Sequence, residues 1–379
     1  MNIAFLTSRY PSANNPYNHM FVHMRCAEMI RQGYRLKVYV PSNCNDKCNY
    51  EGVEVIKMPS KQINKELHNF DILYLHLLNI YPFTKENGWP IYKHILKHNL
   101  SFAMYIHGND VQKYGARMYE FRFTLTELLK WFKRDTITIP RIKRFVLKTK
   151  QRKNVAFIFP SKWMKSETER NFKFNINQNY YIIPNGIETK FFQYNDIIRF
   201  KTKIISIRSL SKKVYDIEKS IKVMTCLPEE FTLDIYGEGI FKNDYLKLIE
   251  QKNLGHRVRI IPKFVQKDKM KELFSKYGFY ISTTKMDSQG INMMEAMAAG
   301  LIVVTTDNSS KREFITDCEN GILGISSTSI AGQIVEVANN PSLFRKIAQK
   351  GRNSVEMIDT TITVSEELKV LKGVSSKNG

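Results

Sequence analysis

The sequence contains no long apolar run. Near its start, Ile3-Ala4-Phe5-Leu6 is far shorter than the apolar region of a signal peptide, and no stretch approaches the ~20 apolar residues that a membrane-spanning helix needs. We therefore interpret this run as a first β-strand and expect a chain that is soluble or peripheral to a membrane.

Cysteine is scarce. The five cysteines are an odd number scattered over 379 residues, which argues for reduced thiols in a cytosolic compartment. Cys44 and Cys48 could begin a metal site, but no second ligand pair at suitable spacing follows them. The sequence therefore does not predict a zinc site.

Acidic residues are outnumbered by basic ones. The chain has 36 Asp and Glu against 58 Lys and Arg, a formal net charge of +22 and a pI near 9.6. Such an excess of positive charge favours an anionic partner, which could be phosphate groups, nucleic acid or an acidic membrane surface. The distribution of the charge along the chain therefore matters more than its sum.

Apolar runs typical of strands alternate with helical patterns through most of the chain. The first series has strand candidates at 3–6, 36–40, 70–76, 101–106 and 155–159, and helical stretches near 20–32, 89–98, 116–134 and 161–171. The second has strand candidates near 203–207, 231–236, 257–261, 278–282 and 301–305, and helices near 216–224, 242–252, 266–276, 291–299 and 328–338. Two such series predict an α/β protein with two doubly wound parallel sheets. Ligands of such sheets bind beyond the carboxyl ends of the strands, so we expect a site in a cleft that the two domains face.

A turn signal separates the two series. Pro184-Asn185-Gly186 contains the turn dipeptide Asn-Gly, and the polar stretch that follows has no clear apolar period. We place an N-terminal domain at 1–187 and a C-terminal domain at 188–358. Residues 359–372 are predicted as a helix that returns to the N-terminal domain, and 373–379 as a disordered tail.

Two carboxylates lie around a predicted strand-to-helix turn. Asp287 follows the strand, and Glu295 lies eight positions later, just over one turn into the helix. Gly290 lets a phosphate approach the backbone, and the first N–H groups of the helix, at Gly290, Ile291 and Asn292, favour an anion. If each carboxylate binds the hydroxyls of one sugar, the spacing fits a nucleotide diphosphate sugar. The alternative is that Asp287 caps the helix and that Glu295 is a solvated surface residue.

This stretch resembles the signature of the retaining glycosyltransferases of family 4, which have the two-domain GT-B fold with two Rossmann-like domains. The signature is a Glu, seven residues, then Glu-Ala-Met-Ala-x-Gly. Glu295-Ala296-Met297-Ala298-Ala299-Gly300 matches its second half, and Asp287 stands where the first Glu usually is. Because Asp is one methylene shorter, its contact with a donor hexose is expected to be shifted, longer or water-mediated.

Further matches follow in the family's order over most of the chain. They are a helix and strand at 19–40, His107-Gly108-Asn109-Asp110, Phe159-Pro160-Ser161, Pro184-Asn185-Gly186-Ile187-Glu188 and Tyr236-Gly237-Glu238-Gly239. The N-terminal loop departs from the family, because Ser8-Arg9-Tyr10-Pro11 and Asn14-Asn15-Pro16 replace its glycine pair. The identity of the acceptor therefore cannot be carried over.

The resemblance implies a clamp on the donor diphosphate. Arg208 stands where the family places an arginine, and Lys213 stands where a lysine follows about five residues later. Two positive charges there would compensate the charge that builds up on the leaving group. Lys212 or Tyr215 could occupy the second place instead.

The resemblance also implies roles around the donor sugar. His107 is expected to contact the sugar near the reacting carbon, Asp287 to hold the hexose and Glu295 to hold the ribose. His19 and Asp110 are assigned to the acceptor side. Taken alone, a histidine such as His107 is more often a structural residue.

Part of the positive charge is concentrated between residues 112 and 153. This segment has 13 Lys or Arg and 3 Asp or Glu, so it holds +10 of the +22. Apolar residues are interleaved with the charges, namely Trp131, Phe132, Phe145, Val146 and Leu147. Such a segment suits an anionic membrane surface, near which each Lys or Arg contributes about 1 kcal/mol. The alternatives are a solvated helix whose apolar face joins the core, and a nucleic-acid site; we predict membrane contact and no nucleic acid.

We therefore predict a cytoplasmic hexosyltransferase, peripherally associated with the inner face of the membrane. It would transfer a hexose from a nucleotide diphosphate sugar to a glycan or lipid-linked acceptor in polysaccharide or lipopolysaccharide biosynthesis. Because no Asp-x-Asp motif follows a strand, we expect no catalytic metal and no cofactor besides the nucleotide sugar as co-substrate. The alternatives are a sugar-nucleotide epimerase of the same fold and a non-catalytic relative that binds a membrane or nucleic acid. The donor base and sugar, the acceptor and linkage, and the oligomeric state stay open.

Overall fold

The chain is described by a computed structural model at residues 1–13, 15, 18–81, 84–108, 110–120 and 124–375. It divides into two compact units. Unit 1 comprises Met1–Gly186 and Thr360–Gly379, and unit 2 comprises Ile187–Asp359.

Unit 1 is built on one sheet. Its strands are β1 (Asn2–Thr7), β2 (Arg35–Pro41), β3 (Asp46–Tyr50), β4 (Val53–Met58), β5 (Ile72–His76), β6 (Phe102–Tyr105), β7 (Val155–Phe159) and β8 (Tyr180–Ile182). They lie in the order β3-β4-β2-β1-β5-β6-β7-β8, and among the described pairs only β3 with β4 is antiparallel. Strands β5, β6 and β7 are buried along their whole length, as expected of parallel strands covered on both faces.

The helices that cover this sheet come from both sequence regions of unit 1. Those before the boundary are α1 (Met20–Arg31), α2 (Ser60–Glu66), α3 (Trp89–His98), α4 (Leu125–Lys133), α5 (Ile139–Thr149) and α6 (Lys162–Phe172). A π-helical segment, Arg134–Thr138, joins α4 to α5, and short 3-10 turns lie at Leu67–Asn69 and Tyr114–Glu120.

Unit 2 is built on a second sheet. Its strands are β9 (Lys203–Ile207), β10 (Thr232–Tyr236), β11 (Val258–Ile261), β12 (Phe279–Ser282), β13 (Ile302–Thr306) and β14 (Ile322–Gly324), in the order β11-β10-β9-β12-β13-β14. Each described pair is parallel. The helices are α7 (Ile217–Met224), α8 (Lys242–Gln251), α9 (Lys267–Phe274), α10 (Ile291–Ala298), α11 (Lys311–Phe314), α12 (Ser327–Asn339) and α13 (Pro341–Glu356). Two doubly wound sheets confirm the predicted α/β class.

Both sheets have a topological switch point beside their first strand. In unit 1, β1 lies between β2 and β5, and in unit 2, β9 lies between β10 and β12. The connections after these neighbouring strands leave in opposite directions, which opens a crevice at the carboxyl ends of the strands. The residues that follow β1 and β5, and those that follow β9 and β12, are therefore placed where ligands of such sheets bind.

Unit 1 differs from the sequence-based prediction at three places. The hairpin of β3 and β4 was not expected, since β3 reads Asp-Lys-Cys-Asn-Tyr and is mostly exposed, so it lacks an apolar alternation. The single helix expected near 116–134 is replaced by the turn at Tyr114–Glu120 and by α4, which begins where the Thr124 hydroxyl accepts a hydrogen bond from the N–H of Glu127. Helix α5 has no counterpart in the prediction, although its buried residues Ile139, Ile142 and Val146 recur at helical spacing.

A last helix, α14 (Thr360–Val374), returns the chain to unit 1. It packs against α1, β6 and β7. Gly373 and Val374 are helical, which corrects the predicted start of the tail at residue 373, and residues 376–379 lie outside the described part of the chain.

Helix α14 is held by a buried ion pair. The Arg25 Nε atom of α1 donates to both carboxylate oxygens of Glu367, at 2.9 and 3.2 Å, and the Tyr74 hydroxyl of β5 donates to the same carboxylate at 2.8 Å. A second guanidinium nitrogen donates to the side-chain oxygen of Asn185 at 3.0 Å. Because Glu367 is fully buried, its charge depends on these donors.

We predict that Glu367→Gln destabilises unit 1 by about 3–5 kcal/mol, because it leaves the Arg25 charge buried without its partner. The three tryptophans, at 89, 131 and 163, all lie in unit 1. Tryptophan fluorescence in a urea titration therefore reports the unfolding of this unit.

The matched control is Glu366→Gln at the exposed neighbouring position, which should leave the transition where it is. Equal transitions for the two variants would show that the buried pair contributes nothing to stability.

Candidate functional site

Predicted site residues of unit 2 meet at its switch point. Strand β9 is followed directly by Arg208, and β12 is followed by the loop that carries Asp287 and ends at Gly290. Helix α10 then begins at Ile291 and carries Glu295. We call Arg208, Asp287, Glu295 and the start of α10 the unit 2 site.

Arg208 lies at the centre of the unit 2 site. One of its terminal nitrogens donates to the Ser282 hydroxyl at 2.9 Å, and its guanidinium carbon lies 5.7 Å from the ring centre of Tyr215 and 5.8 Å from that of Tyr280. Its Nε atom is buried and has no hydrogen-bond partner among the described residues. Burial works against its charge, but Tyr280 and the carboxylates of Asp287 and Glu295 more than offset this, so that the pKa of Arg208 is raised. A permanently charged donor group with an unused N–H is suited to bind an anion.

A glycine allows the backbone beside Arg208 to pack closely. The N–H of Arg208 donates to the carbonyl of Tyr236 at 3.0 Å, and a Cβ atom at Gly237 would lie only 1.9 Å from the carbonyl oxygen of Arg208. The Gly237-Glu238-Gly239 stretch that carries the family resemblance therefore has a steric cause here.

The start of α10 is open to an anion. Gly290 has φ +83° and no side chain caps the helix, and within the described chain nothing accepts a hydrogen bond from the N–H groups of Gly290, Ile291 and Asn292. Helix dipole and free N–H groups together form a site for a phosphate. A Cβ atom at Gly290 would lie 2.1 Å from the Met293 methyl group, and the positive φ disfavours any other residue at this position.

Asp287 is ordered by its own loop. Its Oδ1 atom accepts from the N–H of Gln289 at 3.2 Å, and its backbone N–H donates to the Ser309 hydroxyl at 3.0 Å. Its carboxylate therefore caps the loop rather than helix α10. The second oxygen, Oδ2, lies beside the position that a Cβ atom of Gly290 would take, at 3.5 Å.

Glu295 is a half-buried carboxylate with few partners. Within the described chain no group donates a hydrogen bond to it, and only the charges of Lys267 and Arg208 act on it from nearby. Burial raises the pKa of Glu295 to about 7, which these two cations do not prevent. Lys267 is itself paired with Glu188. Glu295 is thus neither a solvated surface residue nor a satisfied structural one.

Lys212, Lys213 and Tyr215 are the candidates for the second position of the diphosphate clamp. Lys213 is exposed at the start of a 3-10 turn, Lys213–Tyr215, and its Nζ atom lies 5.2 Å from the ring centre of Phe241. Lys212 is also exposed, whereas the Tyr215 ring faces the Arg208 guanidinium. The Tyr215 ring is thereby placed against Arg208.

Lys311 is a residue of this region that the sequence analysis missed. It is fully buried at the start of α11, and its Nζ atom donates to the Thr284 carbonyl at 2.5 Å and to the Thr306 hydroxyl at 2.6 Å. Burial lowers its pKa to about 7, although the charge of Asp287 opposes this. It ties the loop after β12 to the end of β13 and thereby supports Asp287. Its place shortly after the carboxyl end of a parallel strand was the available signal.

In unit 1, His107 forms a pair with a second histidine. Its Nε2 atom lies 3.1 Å from Nδ1 of His76, the last residue of β5, and its ring contacts those of Phe21 and Tyr105. Burial and the Arg25 charge lower the pKa of both histidines well below the ordinary value. Both imidazoles are therefore neutral at pH 7, and one donates to the other. His76 was missed, although it ends a strand beside the switch point.

His19 and Asp110 of unit 1 are held by different contacts. His19 lies at the start of α1 with φ 59°, and its Nδ1 atom lies 3.0 Å from the Thr7 hydroxyl at the end of β1. Burial lowers its pKa to about 4. Asp110 is buried, and its Oδ1 atom accepts from the N–H of Gly108 at 2.9 Å, so it orders the turn after His107. Asn109 of the same motif lies outside the described residues.

The basic segment, residues 112–153, contains two different helices. Helix α5 buries Ile142, Phe145 and Val146 in the core, so its apolar face is structural. Helix α4 buries no residue. Four of its apolar side chains recur at i, i+3, i+4 and i+7 and are 52–72% exposed; they are Leu125, Leu128, Leu129 and Phe132.

The remaining apolar residues of the basic segment also differ in their exposure and contacts. Trp131 stacks on Tyr114 at 3.7 Å, whereas Leu147 of α5 is exposed. Among the helices of the described residues, none has both the length and the apolar character to cross a bilayer.

The C-terminal part of the chain matches a family model. Residues 188–354 match the model described as Glycosyl transferases group 1. A 124-residue segment is 32% identical to the poly(ribitol-phosphate) alpha-N-acetylglucosaminyltransferase of Staphylococcus aureus strain COL, over 32% of this chain and 24% of that protein. A 95-residue segment is 33% identical to the GtfA subunit of the UDP-N-acetylglucosamine–peptide N-acetylglucosaminyltransferase of Limosilactobacillus reuteri, over 25% of this chain and 18% of that protein. The chain thus aligns with a quarter or less of the length of these curated relatives.

Solved structures match nearly the whole chain. HepE of Anabaena, in complex with UDP, has a TM-score of 0.71 at 16% identity, over 98% of this chain and 100% of that one. The pneumococcal O-GlcNAc transferase GtfA, in complex with UDP and GlcNAc, has a TM-score of 0.66 at 11% identity, over 99% of both chains. The fold prediction is therefore confirmed: the chain has the GT-B fold of glycosyltransferases. Membership of family 4 in particular stays a prediction.

We predict that Glu295→Gln stabilises unit 2 above pH 7. The pKa of Glu295 is about 7 in the folded unit against an ordinary 4.5, so stability is greatest in acid and falls as pH rises from 4.5 to 7. Glutamine stays uncharged over this range and does not lose this stability. The free energy of unfolding of the variant should therefore exceed that of the wild type by about 1–3 kcal/mol at pH 8. Hydrogen exchange of peptides from the β9–β13 sheet, measured from pH 5 to 8 and corrected for intrinsic rates, gives the difference.

Glu250→Gln at an exposed position of α8 is the matched control and should follow the wild type. Parallel pH profiles for Glu295→Gln and wild type would mean that Glu295 is not a destabilised carboxylate.

Proposed function

We propose that this chain is a retaining glycosyltransferase that transfers a hexose from a nucleotide diphosphate sugar to a glycan or lipid-linked acceptor. The observation that carries the proposal is the arrangement of the unit 2 site. An arginine with an unused buried N–H, an uncapped helix start and two carboxylates are gathered at one switch point. The UDP in the HepE and GtfA structures makes uridine diphosphate sugars the first donors to test.

We propose that the donor diphosphate binds at Arg208 and the start of α10. The free N–H groups from Gly290 to Asn292 can donate to phosphate oxygens, and the guanidinium supplies a permanent positive charge. Both stabilise the charge that grows on the leaving diphosphate as the bond to the sugar breaks. Since these groups supply the compensating charge, the proposed reaction needs no divalent metal.

We assign the two carboxylates of the unit 2 site to the two sugars of the donor. Glu295 lacks hydrogen-bond donors in the described chain, so ribose hydroxyl groups would supply what it lacks. Asp287, held by Gln289 and Ser309, would accept from a hydroxyl of the hexose. Preordered acceptors of this kind orient the sugar before the reaction.

In unit 1 we propose that His107 binds a sugar hydroxyl group. Its Nε2 atom is used by His76, which leaves Nδ1 for a substrate. Because burial lowers the pKa of both histidines, the pair brings no positive charge to a bound sugar. His19, which is neutral for the same reason, is assigned to the acceptor side.

We further propose that the acceptor is met at the cytoplasmic face of an anionic membrane, as in polysaccharide biosynthesis. The exposed apolar stripe of α4 would enter the interface, and the basic residues of the segment would contact lipid phosphates. Lys130, Arg144 and Lys148 are exposed and available for this contact. Helix α5 would instead hold α4 to the core through its buried face.

We predict that Arg208→Ala weakens binding of a nucleoside diphosphate at least about 30-fold, because the phosphate loses a buried charged donor. Calorimetric titration of the purified chain with uridine, guanosine, adenosine and cytidine diphosphates, with chelator present, names the base and measures the loss. Donor turnover of the wild type with the preferred sugar nucleotide, followed by release of the diphosphate, tests the transferase itself.

Arg199→Ala, at an exposed arginine of the same unit, should bind the nucleotide as the wild type does. Absence of nucleotide binding in the wild type would refute the donor site. Binding with release of a free or altered sugar that no acceptor captures would indicate the epimerase instead.

We predict that the double substitution Leu128→Asp and Phe132→Asp lowers partition of the protein onto vesicles more than about tenfold. The variant loses two apolar side chains whose transfer from water into the membrane interface would favour binding. The partition is measured by sedimentation with vesicles that contain 30% phosphatidylserine, at about physiological ionic strength. Both side chains are exposed, so folding should not change.

The matched control is the double substitution Ile325→Asp and Met357→Asp, which places the same two charges at apolar residues of unit 2 that are 78% and 73% exposed. If both proteins sediment like the wild type, α4 does not contact the membrane.

A further inference from the structure

Three histidines form a cluster on the surface of unit 1. His68, His94 and His98 each place a ring nitrogen so that the three ligand atoms lie within 4.8 Å of one another. The Nε2 atoms of His68 and His94 are 3.1 Å apart. The ring centres are separated by 5.1 Å for His68 and His94, 5.0 Å for His68 and His98, and 4.3 Å for His94 and His98.

The local sequence explains why the rings converge. His94 and His98 are four residues apart on α3, and residues at i and i+4 lie on the same face of a helix. His68 lies in the 3-10 turn Leu67–Asn69, which continues α2, and α2 packs against α3. The cluster therefore joins two helical segments that are separated in sequence.

The spacing of the nitrogens fits a metal ion. Imidazole nitrogens bind Zn²⁺ at about 2.0–2.1 Å, and two ligands of a tetrahedron with that bond length lie roughly 3.3 Å apart. The 3.1 Å between His68 and His94 is close to that edge, and the third ring needs only a side-chain rotation within its 4.8 Å limit.

A hydrogen bond between neutral rings is the simpler explanation, but it accounts for only two of the three histidines. Imidazole is a favoured ligand of Zn²⁺, Cu²⁺ and Ni²⁺, whereas Mg²⁺ and Ca²⁺ prefer oxygen.

The cluster is separate from the proposed transferase chemistry. His68 precedes β5 and His98 precedes β6, so both lie at the amino ends of these strands. His76 is the last residue of β5, and His107 follows the carboxyl end of β6. The two groups of histidines thus occupy opposite edges of the sheet, and the prediction that no metal takes part in catalysis does not concern this cluster.

We propose that His68, His94 and His98 bind one transition-metal ion of the Zn²⁺ class. The ion cross-links the turn before β5 to the end of α3 and stabilises the packing of α2 on α3. Three imidazoles leave the fourth position of a tetrahedral site open to water or a further ligand.

The test is uptake of Zn²⁺ by tag-free, chelator-treated protein whose exposed thiols have been alkylated. The wild type should retain one equivalent after gel filtration, and its thermal unfolding, followed by tryptophan fluorescence, should shift upward with added Zn²⁺. His68→Ala and His98→Ala, both at exposed positions, should each lower the affinity at least about tenfold and abolish the shift.

His256→Ala is the matched control, because His256 is an exposed histidine of unit 2 that is bonded to Glu229 at 2.7 Å. It should bind Zn²⁺ as the wild type does. No retained equivalent in the wild type, or equal retention by His68→Ala and His98→Ala, overturns the proposal. Nucleotide binding is measured on the same samples and should be unchanged in all variants, so the two proposals fail independently.

Discussion

The ion pair between Arg25 and Glu367 is the interaction on which unit 1 depends. Its two residues come from opposite ends of the chain, on either side of the whole of unit 2, and no local propensity brings them together. The pair is buried, so its hydrogen bonds to Tyr74 and Asn185 are needed to offset the desolvation of both charges. Helix α14 is thereby made part of unit 1 rather than an extension of unit 2.

The same ion pair links stability to the candidate chemistry of unit 1. The guanidinium of Arg25 lies 4.4 Å from the ring centre of Tyr105, the residue before the turn that leads to His107. Its charge is one cause of the lowered pKa of His76 and His107. Burial is the main cause of the lowered pKa of these two imidazoles, and the cation that holds the helix adds to its effect.

In unit 2, two ionisable groups of the candidate site lack the partners that Arg25 and Glu367 have in unit 1. Glu295 is withdrawn from water without hydrogen-bond donors from the described chain, and the Arg208 guanidinium keeps an unused N–H. Both groups cost stability in the free protein, and both would gain partners from a nucleotide sugar. Such an arrangement is more typical of a binding site than of a structural one. Glu367 is fully buried and Glu295 is half-buried, and both lie on helices. Among the described residues, Glu367 has hydrogen-bond donors and Glu295 has none.

The basic segment shows that composition alone does not separate surface from core. Phe145 and Val146 have basic neighbours in the sequence, as Phe132 has. They nevertheless lie on the face of α5 that packs into unit 1. The π-helical segment before α5 changes the helical phase between the two helices. Helix α4 therefore leaves its apolar stripe exposed, whereas α5 buries its own.

The order of amino acids alone was enough for the fold class and for much of the unit 2 site. Alternating apolar periods identified the two parallel sheets, and Asp287, Gly290 and Glu295 could be found because the strand end, the glycine and the helix start are all local signals. Arg208, which directly follows β9, was identified through the family resemblance instead.

Only the tertiary structure revealed the partners that those signals do not contain. Arg25 with Glu367, His76 with His107 and Lys311 with Thr284 are contacts between elements far apart in sequence. Periodicity reports which face of an element is apolar, but not which distant element covers it or whether a buried charge meets an opposite one. Those contacts are decided by the order of the strands and the packing of helices on them, and they determine which of the ionisable residues are neutral, charged or still without a partner.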